Sequence, residues 1–167
     1  QALAGALLPK IERTGLSLIT EPGRFLIGNA GVLLARVMHR KKAGGKEYII
    51  TDAGMNDLVR PSHYDAYHAV EAVQPREGRS VVDVVGPVCE SGDFFALDRE
   101  VENVESGDLV VVRTTGAYGY VMSFNYNARP RVAEVLVDGD RFAVVTRRER
   151  YEDLVRLEPE RPDWRTA

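Results

Sequence analysis

The sequence predicts a mainly β domain, a barrel or sandwich, entered through a short helix–strand–helix unit. Three observations carry this. Past residue 45, short apolar runs rich in Val and Ile recur between turn signals. Asp138-Gly139-Asp140 separates two such runs at hairpin spacing. Before residue 45, apolar residues fall at helical intervals instead. The chain of 167 residues is 44% hydrophobic and 28% charged, the balance of a globular domain. It is long enough to bury a substantial core.

Residues 2–13 read as a helix with Leu3, Leu7 and Ile11 on one face. Pro9 kinks or shortens it and Gly15 stops it. Residues 16–20 read as a short strand, broken by Glu21-Pro22-Gly23. A second helix follows, with Ile27, Ala30, Leu34 and Val37 at helical spacing. Its end is His39-Arg40-Lys41-Lys42, where cations suit the helix dipole. Gly44-Gly45 closes the unit. Candidate strands then run over 47–51, 80–88, 109–114, 118–124, 131–137 and 141–146. Residues 149–157 form a short closing helix. The stretch 159–167, with Pro159 and Pro162, is expected to fray.

A net charge of -3 and a pI near 5.7 argue against nucleic acid as the main partner. The single cysteine excludes an intrachain disulfide and fits a reducing compartment, so the cytoplasm is expected. No apolar run approaches a transmembrane length. The start lacks a basic signal-peptide region and an initiator Met, so the chain reads as a piece of something longer.

Cys89-Glu90-Ser91-Gly92-Asp93 stands at the end of an apolar run. Cys89 is either a small buried hydrophobe or a reactive thiol beside a carboxylate. Glu21-Pro22-Gly23-Arg24 lies between a strand and a helix. Gly23 permits close backbone approach, and Arg24 in the first helical turn suits an anion such as phosphate or carboxylate. The alternative is a plain turn with an exposed Arg. Arg60 and Tyr64 lie four apart, and on one helical face they could share a carboxylate. Tyr118 is bracketed by Gly116 and Gly119. It is either a hydroxyl placed for a ligand or an aromatic packed on a bulge. His63 and His68 lack a third ligand at sensible spacing, so no metal is expected.

Read in order, these segments resemble a family. Glu21-Pro22-Gly23-Arg24, Met55-Asn56-Asp57, Arg60-Pro61, Tyr64, Ala66-Tyr67-His68, Cys89-Glu90-Ser91-Gly92-Asp93, Gly116-Ala117-Tyr118-Gly119 and Asn125-Tyr126-Asn127 resemble the C-terminal part of diaminopimelate decarboxylase. That is a pyridoxal-phosphate enzyme of the alanine-racemase-like fold. The resemblance implies that residues 1–42 are the last helix, strand and helix of a TIM barrel, and that 43–158 are the β-barrel domain. A whole TIM barrel takes about 250 residues, so most of it is missing. Lys10, Lys41, Lys42 and Lys46 do not match the lysine that forms the Schiff base with the cofactor.

The resemblance assigns roles residue by residue. Glu21, Pro22, Gly23 and Arg24 bind the cofactor phosphate region. Arg24, Arg60 and Tyr64 bind the substrate's distal carboxylate end, and Glu90 its distal ammonium. Tyr118 contacts cofactor and substrate, and Cys89 is the proton donor. The Cys89-Glu90 pair reaches into the partner subunit's site, which implies a homodimer. The implied reaction is decarboxylation of meso-2,6-diaminopimelate to L-lysine and CO2. The alternatives are a sibling decarboxylase acting on ornithine, arginine or carboxynorspermidine, and an inert structural or dimerisation fragment.

Overall fold

The computed structural model describes residues 2–165. Its centre is one curled sheet in the order β3-β6-β1-β2-β4-β5. The strands are β1 (Leu33–Ala43), β2 (Lys46–Thr51), β3 (Val70–Ala72), β4 (Arg79–Val85), β5 (Phe94–Glu102) and β6 (Leu109–Val112). All neighbours are antiparallel except β2 and β4, which run parallel. The edge strands β3 and β5 also pack together, so the sheet curls into a nearly closed barrel. Short helices stand outside it: α1 (Ala2–Glu12), α2 (Arg24–Ile27), α3 (Arg60–Tyr64) and α4 (Tyr151–Val155). A separate hairpin, β7 (Glu134–Asp138) and β8 (Arg141–Thr146), follows the barrel.

Valine dominates the core. Val37, Val84, Val101, Val104, Val110 and Val112 are buried with Ile49, Leu58 and Phe95. β-branched side chains suit a pleated surface, which is why the sequence forms strands here rather than helices. No helix among the described residues is long and apolar enough to cross a membrane.

The structure corrects several sequence expectations. The second helix is only α2 and a 3-10 turn at Gly28–Ala30; residues from Leu33 onward are strand β1. Leu34 and Val37 fit helical spacing, but burial alternates with period two, Ala35 and Val37 inward and Leu34 and Arg36 outward. The basic run is therefore in a strand, not at a helix end. Arg40 is half-buried in the sheet and bonds Glu47, Ser80 and the Val104 carbonyl. Residues 16–20 are no strand: they have no neighbouring strand, and Leu16 and Ile19 are exposed. The expected strand at 118–124 is a turn, because Tyr118 adopts a left-handed φ of 59° and a 3-10 turn spans Tyr120–Met122. Strands β3 and β5 were not anticipated. The hairpin turn at Gly139 (φ 63°), the first helix and the closing helix stand as read.

Candidate active site

Arg60 opens α3 and its guanidinium lies between two aromatic rings. Its carbon is 5.6 Å from the centre of Tyr64 and 5.5 Å from that of Tyr118. Such faces attract a cation and hold its orientation. Arg60 Nε is buried with no hydrogen-bond partner. A buried donor left unmatched is costly unless something arrives to accept it.

Tyr118 is aimed by strain and by glycine. Thr114 and Tyr118 both adopt left-handed φ, 62° and 59°. Non-glycine residues in that region persist where the surroundings enforce them, often at functional sites. The loop 114–119 is pressed onto the α2 segment. Thr115 N–H donates to the Gly31 carbonyl at 2.9 Å and Gly116 N–H to that of Gly28 at 3.0 Å. A Cβ on Gly116 would stand 2.1 Å from the Ile27 oxygen, and one on Gly31 would stand 2.5 Å from Gly116 Cα. Gly23, with a left-handed φ of 42°, faces the Tyr118 hydroxyl, which would lie 3.5 Å from a Cβ there.

Arg24 begins α2 and is half-buried. Its Nη2 donates to the Thr114 carbonyl at 3.2 Å, while its Nε is buried without a partner. His68 lies close to both arginines. The residue is 1% exposed and Nδ1 meets the Arg113 carbonyl at 2.8 Å. Burial, with the charges of Arg24 and Arg60, holds this histidine below its usual range. The guanidinium groups of Arg24 and Arg60, beside the Gly23 turn, fit an anionic group, the chemistry of a phosphate or carboxylate.

Cys89 and Glu90 lie elsewhere, on the turn between β4 and β5. Both are exposed. Burial of Asp93 behind them ties this turn down: its carboxylate accepts from the Met55 amide at 2.6 Å and from the Val88 amide. Burial pushes the Asp93 carboxyl up, against those two hydrogen bonds. Tyr126 Oη donates to Glu90 at 3.3 Å. The Glu90 charge and that bond push the phenol above its usual value. Gly92 packs on Ser62 of α3, where a Cβ would find it at 3.4 Å, so both clusters share one face of the barrel.

The model of the family described as pyridoxal-dependent decarboxylase, C-terminal sheet domain, matches residues 24–116. The chain belongs to this family. A diaminopimelate decarboxylase from Aquifex aeolicus is 49% identical over 156 residues, 93% of this chain and 37% of that protein. A solved diaminopimelate decarboxylase from M. jannaschii superimposes with a TM-score of 0.87 at 38% identity, covering 96% of this chain and 38% of that one. A Helicobacter pylori diaminopimelate decarboxylase complexed with L-lysine gives 0.82 at 42% identity, covering 94% and 39%. The chain thus spans little more than a third of these relatives.

Within this decarboxylase sheet domain, the structure gathers Gly23, Arg24, Arg60, Tyr64 and Tyr118. Glu21 and Pro22 are exposed beside Gly23. Cys89 and Glu90 form a second group. Sequence reasoning missed His68 and Tyr126 as members of the two groups. The sequence offers His68 as a weak metal-ligand candidate and within the Ala66-Tyr67-His68 segment of the resemblance, with no site role; its place eight residues after Arg60 is a usable signal.

Proposed function

We propose that this chain is the C-terminal third of a pyridoxal-phosphate-dependent decarboxylase that converts meso-2,6-diaminopimelate to L-lysine and CO2, the last step of lysine biosynthesis. The observation that carries the reading is Arg60, clasped by Tyr64 and Tyr118 with an unmatched buried donor. Such a group suits a substrate whose far end bears a carboxylate. Glu90 suits the ammonium beside it. A simple diamine or ornithine chain has no distal carboxylate for this pair.

In this reading Gly23 and the turn around it hold the cofactor phosphate, and the Tyr118 hydroxyl lies over the same turn. When bound, the cofactor supplies the sink for the electron pair left as CO2 departs. The chain's own task is to hold and to protonate. Arg24, Arg60 and Tyr64 fix the distal carboxylate, which sets the reacting carbon in place. Cys89 Sγ–H delivers one proton to that carbon.

The exposed Cys89 and Glu90 support a homodimer in which each turn reaches the partner's Arg60 cluster. The remainder of the enzyme, with the cofactor lysine, belongs to the segment the relatives carry before this one. Of the expected 1–42 segment, residues 2–23 are assigned to the edge of its TIM barrel, since β1 (Leu33–Ala43) belongs to the six-stranded sheet, and the cytoplasm is the assigned location. The test is decarboxylation by the full-length protein. Turnover of meso-diaminopimelate well above that of ornithine is expected; the reverse preference rejects the reading.

A further inference from the structure

His68 has no role in the mechanism above, yet it is the most deeply buried ionisable ring near the arginines. The residue is 1% exposed, and its Nε2 has no partner. A carbonyl only accepts, so Nδ1 carries the hydrogen that meets the Arg113 oxygen at 2.8 Å. The neutral ring therefore presents Nε2 as a bare acceptor. Arg24 offers a donor against the same loop, not bonded to the ring in this structure. Its Nη2 is already bound to the Thr114 carbonyl, next along the chain from the carbonyl that His68 uses. Its Nε is buried and unpartnered. Nε and Nη2 form one edge of the planar guanidinium.

We propose that His68 is a positioning residue for Arg24: Nε2 accepts the Arg24 Nε–H when ligand binds, so that His68 and the Thr114 carbonyl hold one edge of the guanidinium and turn the other edge toward the substrate's distal carboxylate. This rests on the diaminopimelate reading and adds a part to the same site. Gly28 gives the Arg24 stem the room it needs, since a Cβ there would stand 3.0 Å from Arg24 Cγ. The ring must stay neutral, because a second proton on Nε2 would set donor against donor. The charges of Arg24 and Arg60 oppose that proton.

Two ligands separate the possibilities. L-lysine and cadaverine differ only in the distal carboxylate, and both are titrated calorimetrically into the full-length holoenzyme. His68→Asn keeps a donor for the Arg113 carbonyl but loses the acceptor at Nε2; His68→Gln places an amide oxygen near that point. H68N is expected to weaken L-lysine by about tenfold to a hundredfold, with cadaverine within about threefold. H68Q is expected to recover most of the loss. In an Arg24→Lys background, H68N is expected to add little, since the two act as one unit. An unchanged L-lysine to cadaverine ratio in H68N, or a full additive loss on R24K, overturns the role of His68 alone. A wild-type protein with no preference for L-lysine overturns the diaminopimelate reading and this role with it. One measurement needs no variant. The imidazole ¹⁵N resonance of His68 Nε2 is expected to shift with L-lysine and not with cadaverine; a static resonance rejects the bond.

Discussion

Arg60 and Cys89 lie on the same face of the barrel but in opposite surroundings. Arg60 is flanked by two rings, its Nε sealed from solvent and unmatched. Cys89 is open to solvent at the tip of a turn whose footing, Asp93, is buried. One is a socket and the other a projection. In the proposed reading, a single copy offers a receptor without its acid donor and a donor without its receptor. Two copies, each lending its projection to the other's socket, would complete both.

The sharpest way to break this picture is chemical. Cys89→Ala in the full-length enzyme is expected to lower kcat by about 10²–10⁴-fold with a much smaller change in KM. Loss of binding at normal turnover would remove Cys89 from the proton step. Mixing Cys89→Ala with Arg60→Ala subunits is expected, at substrate well below the raised KM of Arg60→Ala, to restore about a quarter of wild-type activity, since half of the dimers then hold one intact site. No recovery on mixing would place both groups in one subunit's site. Arg60→Ala alone is expected to raise KM for meso-diaminopimelate about tenfold to a hundredfold, and an unchanged KM would reject its binding role.

Stability should follow the same divide. Gly116→Ala drives a Cβ against the Ile27 oxygen and is expected to cost about 1–3 kcal/mol. Gly92→Ala meets Ser62 at ordinary contact distance and is expected to stay within about 0.5 kcal/mol. Denaturant unfolding of both variants checks the contrast; equal costs would mean that the socket is no stiffer than the projection. The smallest effect concerns acid. The folded His68 resists a proton that the unfolded chain accepts, so its folded value lies below 6.5. Stability is then whole above about 6.5 and falls as pH drops further. Replacing His68 by Asn should flatten that slope in denaturant midpoints measured across mildly acid pH.

Much of the barrel was legible because its strands announce themselves. β2, β4 and β6 are short β-branched runs, and Asp138-Gly139-Asp140 marks its hairpin plainly. β1 reads as a helix because Ile27, Ala30, Leu34 and Val37 fall at helical spacing, and only pairing with β2 and β6 makes the segment a strand. β5 was hidden by Asp98, Arg99 and Glu100, charged residues with a left-handed φ at Asp98. Residues 16–20 carry a strand's composition with no neighbour to pair. In the site, residue types pointed to an anion clasp, but not to the grouping. That Arg60 lies between Tyr64 and Tyr118 depends on a loop bent at Thr114, and no local pattern encodes such a meeting. His68 escapes because its meaning depends on Arg24, which lies far from it in sequence.

The Gly31–Gly116 contact bears on how this site could be redesigned. Gly31 leads into β1 and Gly116 trails β6, and those strands are paired neighbours. With backbone against backbone, the spacing between the α2 turn and the Tyr118 loop cannot be widened by a substitution or narrowed by a smaller one. Under the proposed function, a shorter or longer ligand must then be accommodated at the side-chain tips of Arg60, Tyr64 and Tyr118. The main chain behind them acts as a fixed ruler.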